Sequence, residues 1–152
     1  MNKNIINKFL VKAKINTYAS GGEEKEKNFS DGSKGFEFRE NDFLYIDKYF
    51  GSDCFIGKEI FFNKNQAIWG MNYYGRIVSK IIPEKEIYQF LQKALKKVTK
   101  NKPFRGPDIL EINDLKYINM SKGNIDNFLG EEKILYMGKI VFLLDYHGGL
   151  IK

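Results

Sequence analysis

The chain has 152 residues, 43% hydrophobic and 15% aromatic, with 25 Lys and Arg against 19 Asp and Glu. That composition is too apolar for disorder and too broken by charge for a membrane span, while the length suffices for one unaided core. The surplus of +6 is carried almost wholly by Lys, with Arg39, Arg76 and Arg105 the only guanidinium groups, which argues against nucleic-acid recognition, since groove and phosphate reading favour that planar fork.

In chain order, Ile5, Ile6, Phe9, Leu10 and Ala13 recur at helical spacing, without the uninterrupted apolar stretch and small-residue cleavage site of an export signal. A cytoplasmic protein is expected. Ser20 to Gly35 is rich in Gly and Ser and reads as a long loop, either a lid or disordered. Alternation in Phe36-Glu37-Phe38-Arg39 and turn signals at Asn41-Asp42, Gly51-Ser52-Asp53 and Asn63-Lys64-Asn65 predict an antiparallel meander. Pro83 then opens a second helix, with Glu84 and Glu86 in its first turn and Lys96, Lys97 and Lys100 near its end. Ile87, Phe90, Leu91, Ala94, Leu95 and Val98 form its apolar stripe. A second meander follows, with a turn at Gly123-Asn124.

The halves resemble each other. At an offset of 81, Ile6, Phe9, Leu10, Lys12 and Ala13 match Ile87, Phe90, Leu91, Lys93 and Ala94. At 72, Asn41, Asp42, Tyr45 and Ile46 match Asn113, Asp114, Tyr117 and Ile118. At 73, Phe55, Gly57, Glu59, Tyr73 and Gly75 match Phe128, Gly130, Glu132, Tyr146 and Gly148. The expected fold is therefore α+β, a single domain over 1–152 built as two tandem pseudo-repeats, about 4–78 and 83–152, each a helix packed on an antiparallel β-meander of three or four strands.

The final strand of each half, Ile68 to Tyr74 and Val141 to His147, reads as apolar on both faces and so as covered on both, one by a helix and the other by the partner repeat or a ligand. Asp145 and His147 share a face, and the matching positions in the first half are Asn72 and Tyr74. Closing each hairpin on its predicted turn sets Cys54 opposite Tyr74 and Asn127 opposite His147, with Trp69 on the same strand. These seven residues are the candidate ligand-binding set, with Asn72, Tyr74, Asp145 and His147 on the floor of a groove between the repeats. Mutual hydrogen bonding at the repeat junction is favoured over a catalytic role, because Asn72 and Tyr74 keep no acid or base capacity.

Cys54 and His147 are each the only residue of their kind, so neither an intrachain disulfide nor a zinc site is available, and no metal or cofactor is expected. A thiolate or hydrolytic reading would need His147 with Asp145 or Cys54, but no nucleophile motif accompanies them. Gly21-Gly22 and Gly148-Gly149 are candidate anion nests without a dinucleotide or P-loop fingerprint. Lys93, Lys96, Lys97, Lys100 and Lys102 with Arg105 form the one concentrated basic patch, read as a solvated helix face. Tyr45, Tyr49, Tyr73, Tyr117 and Tyr146 exceed the needs of a small core and read as an exposed face for a peptide or protein partner.

Thr17-Tyr18-Ala19-Ser20-Gly21-Gly22, Tyr45-Ile46-Asp47-Lys48-Tyr49-Phe50-Gly51, Trp69-Gly70-Met71-Asn72-Tyr73-Tyr74-Gly75 and Asp145-Tyr146-His147-Gly148-Gly149-Leu150-Ile151 resemble a bacterial domain family of unknown function. Members of that family occur alone or behind a repressor-type helix-turn-helix domain, which implies a sensing or interaction role. The resemblance supplies no catalytic residue, and DNA binding is not carried over, because this chain leaves no room for such a domain before its first repeat.

The sequence thus favours a non-enzymatic ligand-binding or sensing module, taking a small molecule or peptide between the repeats. Its alternatives are a protein-interaction or inhibitor-type domain using a tyrosine-rich sheet face, and a hydrolase-like enzyme using His147 with Asp145 or Cys54. Nucleic acid and membrane are not expected partners.

Overall fold

The computed structural model describes residues 1–20 and 25–152. Among these residues, nine strands form one antiparallel sheet in the order β1-β2-β3-β4-β5-β9-β8-β7-β6. The first half contributes α1 (Lys3–Asn16), a short 3-10 turn η1 (Tyr18–Ser20), β1 (Lys27–Asn28), β2 (Lys34–Glu40), β3 (Phe43–Gly51), β4 (Cys54–Asn63) and β5 (Gln66–Ile77). The second contributes α2 (Glu84–Leu95), β6 (Ile109–Ile112), β7 (Leu115–Asn124), β8 (Asn127–Tyr136) and β9 (Lys139–Leu150). The architecture is α+β, two helices on an antiparallel sheet.

Local chemistry sets the boundaries. The Asn2 side chain caps α1 by accepting from the Asn4 amide at 2.8 Å. Pro83 precedes α2 and Glu84 and Glu86 occupy its first turn, where the dipole favours anions. The two-residue turns Lys64-Asn65 and Met137-Gly138 have positive φ at both positions, the left-handed pair that matches the twist of a tight hairpin. The helical stripes are buried as expected, Ile6, Phe9, Leu10 and Ala13 from α1 and Ile87, Phe90, Leu91, Ala94 and Leu95 from α2. Phe9 packs at tilted and edge-on angles against Phe38, Phe43 and Phe61, and Tyr88 reaches Phe55 and Phe142, so both helices cover the same sheet face.

The two meanders are joined edge to edge. β5 pairs with β9, placing Tyr73 opposite Tyr146, Asn72 opposite His147 and Tyr74 opposite Asp145. That continuous ladder replaces the expected groove between the halves. The last strands are also not covered on both sides: Trp69, Met71 and Tyr73 on β5 and Phe142, Leu144 and Tyr146 on β9 lie under the helices, whereas Asn72, Tyr74, Asp145 and His147 point to the open face. A register shift after Phe61 and after Ile134 leaves an extra residue, Ile68 and Val141, in each strand. Such a bulge breaks strict alternation and gives those strands their apolar look.

Ser20 to Gly35 is not one structureless loop, because Lys27 and Asn28 pair with Gly35 and Lys34 at the sheet edge. The Gly21-Gly22 pair lies outside the described residues. Gly148 and Gly149 are extended residues of β9 rather than a nest: a Cβ on Gly148 would fall 2.2 Å from the Gly70 carbonyl oxygen, so the glycine permits close strand approach.

Candidate functional site

The helix-covered face carries a buried polar layer. Lys14 forms an ion pair with Glu59 and donates to the Phe104 carbonyl at 2.8 Å. Arg105, in the segment between α2 and β6, donates to Glu132 Oε2 through Nε at 3.0 Å and Nη2 at 2.8 Å. Glu132 also accepts from the Tyr117 hydroxyl, which in turn accepts from the Gly106 amide at 3.1 Å. The Arg105 guanidinium lies 5.7 Å from the centroid of the Tyr73 ring and Nη1 lies 3.9 Å from Glu59. Burial alone would be prohibitive for these charges, and pairing makes it tolerable.

Asp47 adds a third carboxyl group to Glu59 and Glu132. Alternation along β3 turns Tyr45, Asp47 and Tyr49 inward. The Tyr73 hydroxyl donates to Asp47 Oδ1 at 2.6 Å. In the second half the Tyr146 hydroxyl donates to Asn119 Oδ1 at 2.8 Å, and Asn119 Nδ2 donates to the Gly106 carbonyl at 3.0 Å. Desolvation raises the Asp47 pKa to about 7, with the nearby Glu59 charge adding to it; the Tyr73 hydrogen bond and the Lys14 and Arg105 charges act in the opposite direction. Burial likewise raises Tyr73 well above the ordinary phenol range, reinforced by Asp47.

Asp47 lines an open cavity of about 460 Å³ walled by residues of β2 to β5, η1 and α2, with Glu26 and Arg105. Six aromatic rings, Tyr18, Phe36, Tyr49, Phe55, Tyr73 and Tyr88, form much of its wall. Arg105 and Gln92 add polar groups, and Glu26 and Lys34 stand at the rim on the β1–β2 side, 3.7 Å apart. Glu26 accepts from the Tyr49 hydroxyl, and Tyr88 donates to the Ser52 carbonyl at 2.6 Å. A concave chamber walled by aromatic rings with polar groups set among them suits a small organic molecule, whose usual sites span roughly 300–1,000 Å³. Among the described residues no three His, Cys, Asp or Glu side chains gather as a metal site.

The sequence-predicted residues lie elsewhere. Asn72, Tyr74, Asp145 and His147 do come together as two adjacent cross-strand pairs, but on the solvent face. Asp145 Oδ2 is 4.0 Å from Arg76 Nη1. Cys54 is exposed and sits opposite Arg76, not Tyr74, and Asn127 sits opposite Gly149, not His147. The turn centre and the bulge each move the register by one residue. Cys54 is therefore about 13 Å along the sheet from the His147 row, four residues at 3.3 Å each, which separates thiol from imidazole. Trp69 is in the core beneath the helices, 0% exposed.

Tyr45, Tyr73, Tyr117 and Tyr146 are buried rather than displayed, because their hydroxyls enter the polar layer under the helices; Tyr49 is half-buried. Tyr74 is the tyrosine that the open face presents. Arg105 leaves the basic patch for Glu132, and Lys102 pairs with Asp108 at 2.6 Å, leaving Lys93, Lys96, Lys97 and Lys100 exposed around the end of α2. The signal for Asp47 was present: in Tyr45-Ile46-Asp47 and Tyr117-Ile118-Asn119 a carboxylate and an amide occupy matching places.

Comparison with curated proteins and with solved structures found no match. A family profile does match residues 47–151, from the middle of β3 to the end of β9, and these hold Asp47, Tyr73, Tyr88 and Arg105 of the cavity. The chain belongs to the family described as Domain of unknown function (DUF5680).

Proposed function

We propose that this chain is a non-enzymatic sensing module that holds a small organic molecule in the helix-side cavity. The observation that carries the reading is the cavity's composition: six aromatic walls around one carboxylate that the fold keeps buried. Cys54 and His147, the residues a hydrolytic reading would use, lie on the other side of the sheet from that carboxylate. The family resemblance implies a regulatory role in a bacterium, in keeping with a sensing module. The two halves are read as copies of one helix-and-meander unit, the strand order being the same from either edge once β1 is set aside.

A thermal-shift screen of small aromatic fragments tests the proposal. Hits should stabilise the wild type, lose their effect when Gln92→Trp fills the chamber, and keep it in Tyr74→Ser on the open face. Stabilisation that survives Gln92→Trp and disappears in Tyr74→Ser would move the site to the other face, and a screen in which nothing stabilises the protein would remove it.

A second reading is a protein-binding open face. Phe50, Ile56, Tyr74, Met120 and Leu129 expose 49%, 58%, 42%, 56% and 59% of their surfaces. Phe50, Ile56 and Tyr74 follow one another across β3, β4 and β5, with Asn72, Asp145 and His147 beside them.

A further inference from the structure

The charges around the cavity restrict what can enter it. Lys14 is matched by Glu59 and Arg105 by Glu132, each member at most 7% exposed, so the four cancel. Asp47, also 7% exposed, has no cation of its own. Lys34 is at the rim, 56% exposed and turned to Glu26. Only Oδ1 of Asp47 is hydrogen-bonded among the described residues, to Tyr73.

Packing does not require that charge. Asn119 serves Tyr146 as Asp47 serves Tyr73, at 2.8 Å against 2.6 Å, so an amide is enough to hold the tyrosine. The carboxylate is thus surplus to the fold and faces a chamber walled by rings, whose π faces attract cations. An anion would meet Asp47, while Arg105 is already engaged by two of its N–H groups on Glu132.

We propose that the cavity takes a small organic cation, an amine, amidine or guanidine on an aromatic or apolar body, with its N–H groups on the Asp47 carboxylate. The inference rests on the ligand-binding reading and names the ligand class for that same site.

Proton linkage follows. Groups facing Asp47 are Lys14 from α1, Tyr18 from η1, Glu59 from β4, Tyr73 from β5 and Arg105 from the segment after α2, with Tyr45 and Tyr49 on β3 itself. Glu26 and Lys34 stand at the rim, and Tyr88 faces the chamber from α2. The tyrosines titrate above neutrality, Tyr88 at about 12. Burial lowers the Lys14 pKa, with the Glu59 charge opposing the shift. With Asp47 titrating near 7, a bound cation expels its proton at lower pH, so affinity should rise with pH up to neutrality.

Isothermal titration of the full chain with benzamidine, benzamide and benzoate tests this. Benzamidine should bind at pH 8, roughly 30-fold more weakly at pH 5.5 through proton competition, and at least about tenfold more weakly in Asp47→Asn at pH 8. At pH 6.5 its binding heat should differ between phosphate and imidazole buffers, because a proton is released. Benzamide or benzoate binding as tightly as benzamidine, or benzamidine affinity unchanged in Asp47→Asn, overturns the cation assignment and leaves the ligand-binding reading standing. No binding by any of the three, together with a blank fragment screen, removes both.

Discussion

Asp47→Asn separates the cost of a buried charge from the packing of the side chain that carries it. The substitution keeps the shape and the acceptor that Tyr73 uses at 2.6 Å, and it copies the arrangement of Asn119 with Tyr146. Because the folded pKa lies near 7 and the ordinary value is 3.8, the native state binds more protons than the unfolded chain between those limits. Wild-type stability therefore falls as pH rises from about 4 to about 7, and the full cost is present above 7. A difference of about three between the two pKa values corresponds to about 4 kcal/mol, an upper figure because solvent in the cavity shares the charge. The variant should gain 1–4 kcal/mol at pH 8, or about 3–12 °C in Tm for a chain of this length, and little at pH 4. Thermal denaturation followed by circular dichroism at both pH values reads the difference. Equal destabilisation at pH 4 and pH 8 would refute the surplus charge.

The opposite sign is expected in the other half of the sheet, on β8. Glu132→Gln also removes a buried negative charge, yet it strands Arg105 and weakens the Tyr117 bond, so urea denaturation should show a loss of about 3 kcal/mol. Gly57→Ala would set a Cβ 2.4 Å from the Tyr73 hydroxyl, forcing the ring off Asp47, and should cost 1–3 kcal/mol by the same assay. Trp69, the only tryptophan, is fully buried and should give blue-shifted emission that acrylamide barely quenches; quenching at the rate of a free indole would contradict its placement.

The helices and the strand order within each meander are readable because their signals are local: the stripe Ile87, Phe90, Leu91, Ala94 sits on one face of a helix whichever surface receives it, and Asn41-Asp42 turns the chain without long-range help. What failed was registration across strands. A single extra residue at Ile68 and another at Val141 shifts every downstream pair, so Cys54 and Asn127 were matched to the wrong neighbours. The joining of β5 to β9 is a contact between segments about 70 residues apart in sequence and has no local mark, which is why a groove was expected where a ladder exists. Asn72, Tyr74, Asp145 and His147 lie side by side on the open face, where the ladder leaves no groove between the halves. The cavity depends on Tyr18, Phe36 and Tyr88 from three elements meeting Arg105 from the segment after α2, a convergence that only the tertiary fold produces. Its floor was nonetheless written in the chain, as an Asp where the other half has Asn.

The most direct measurement uses the nine tyrosines as reporters. Protein labelled with 3-fluorotyrosine and titrated with a fragment that stabilises it should show ¹⁹F shifts at Tyr18, Tyr49, Tyr73 and Tyr88 around the cavity, while Tyr74 on the open face stays put. Shifts confined to Tyr74, with the four cavity signals unmoved, would contradict the helix-side site.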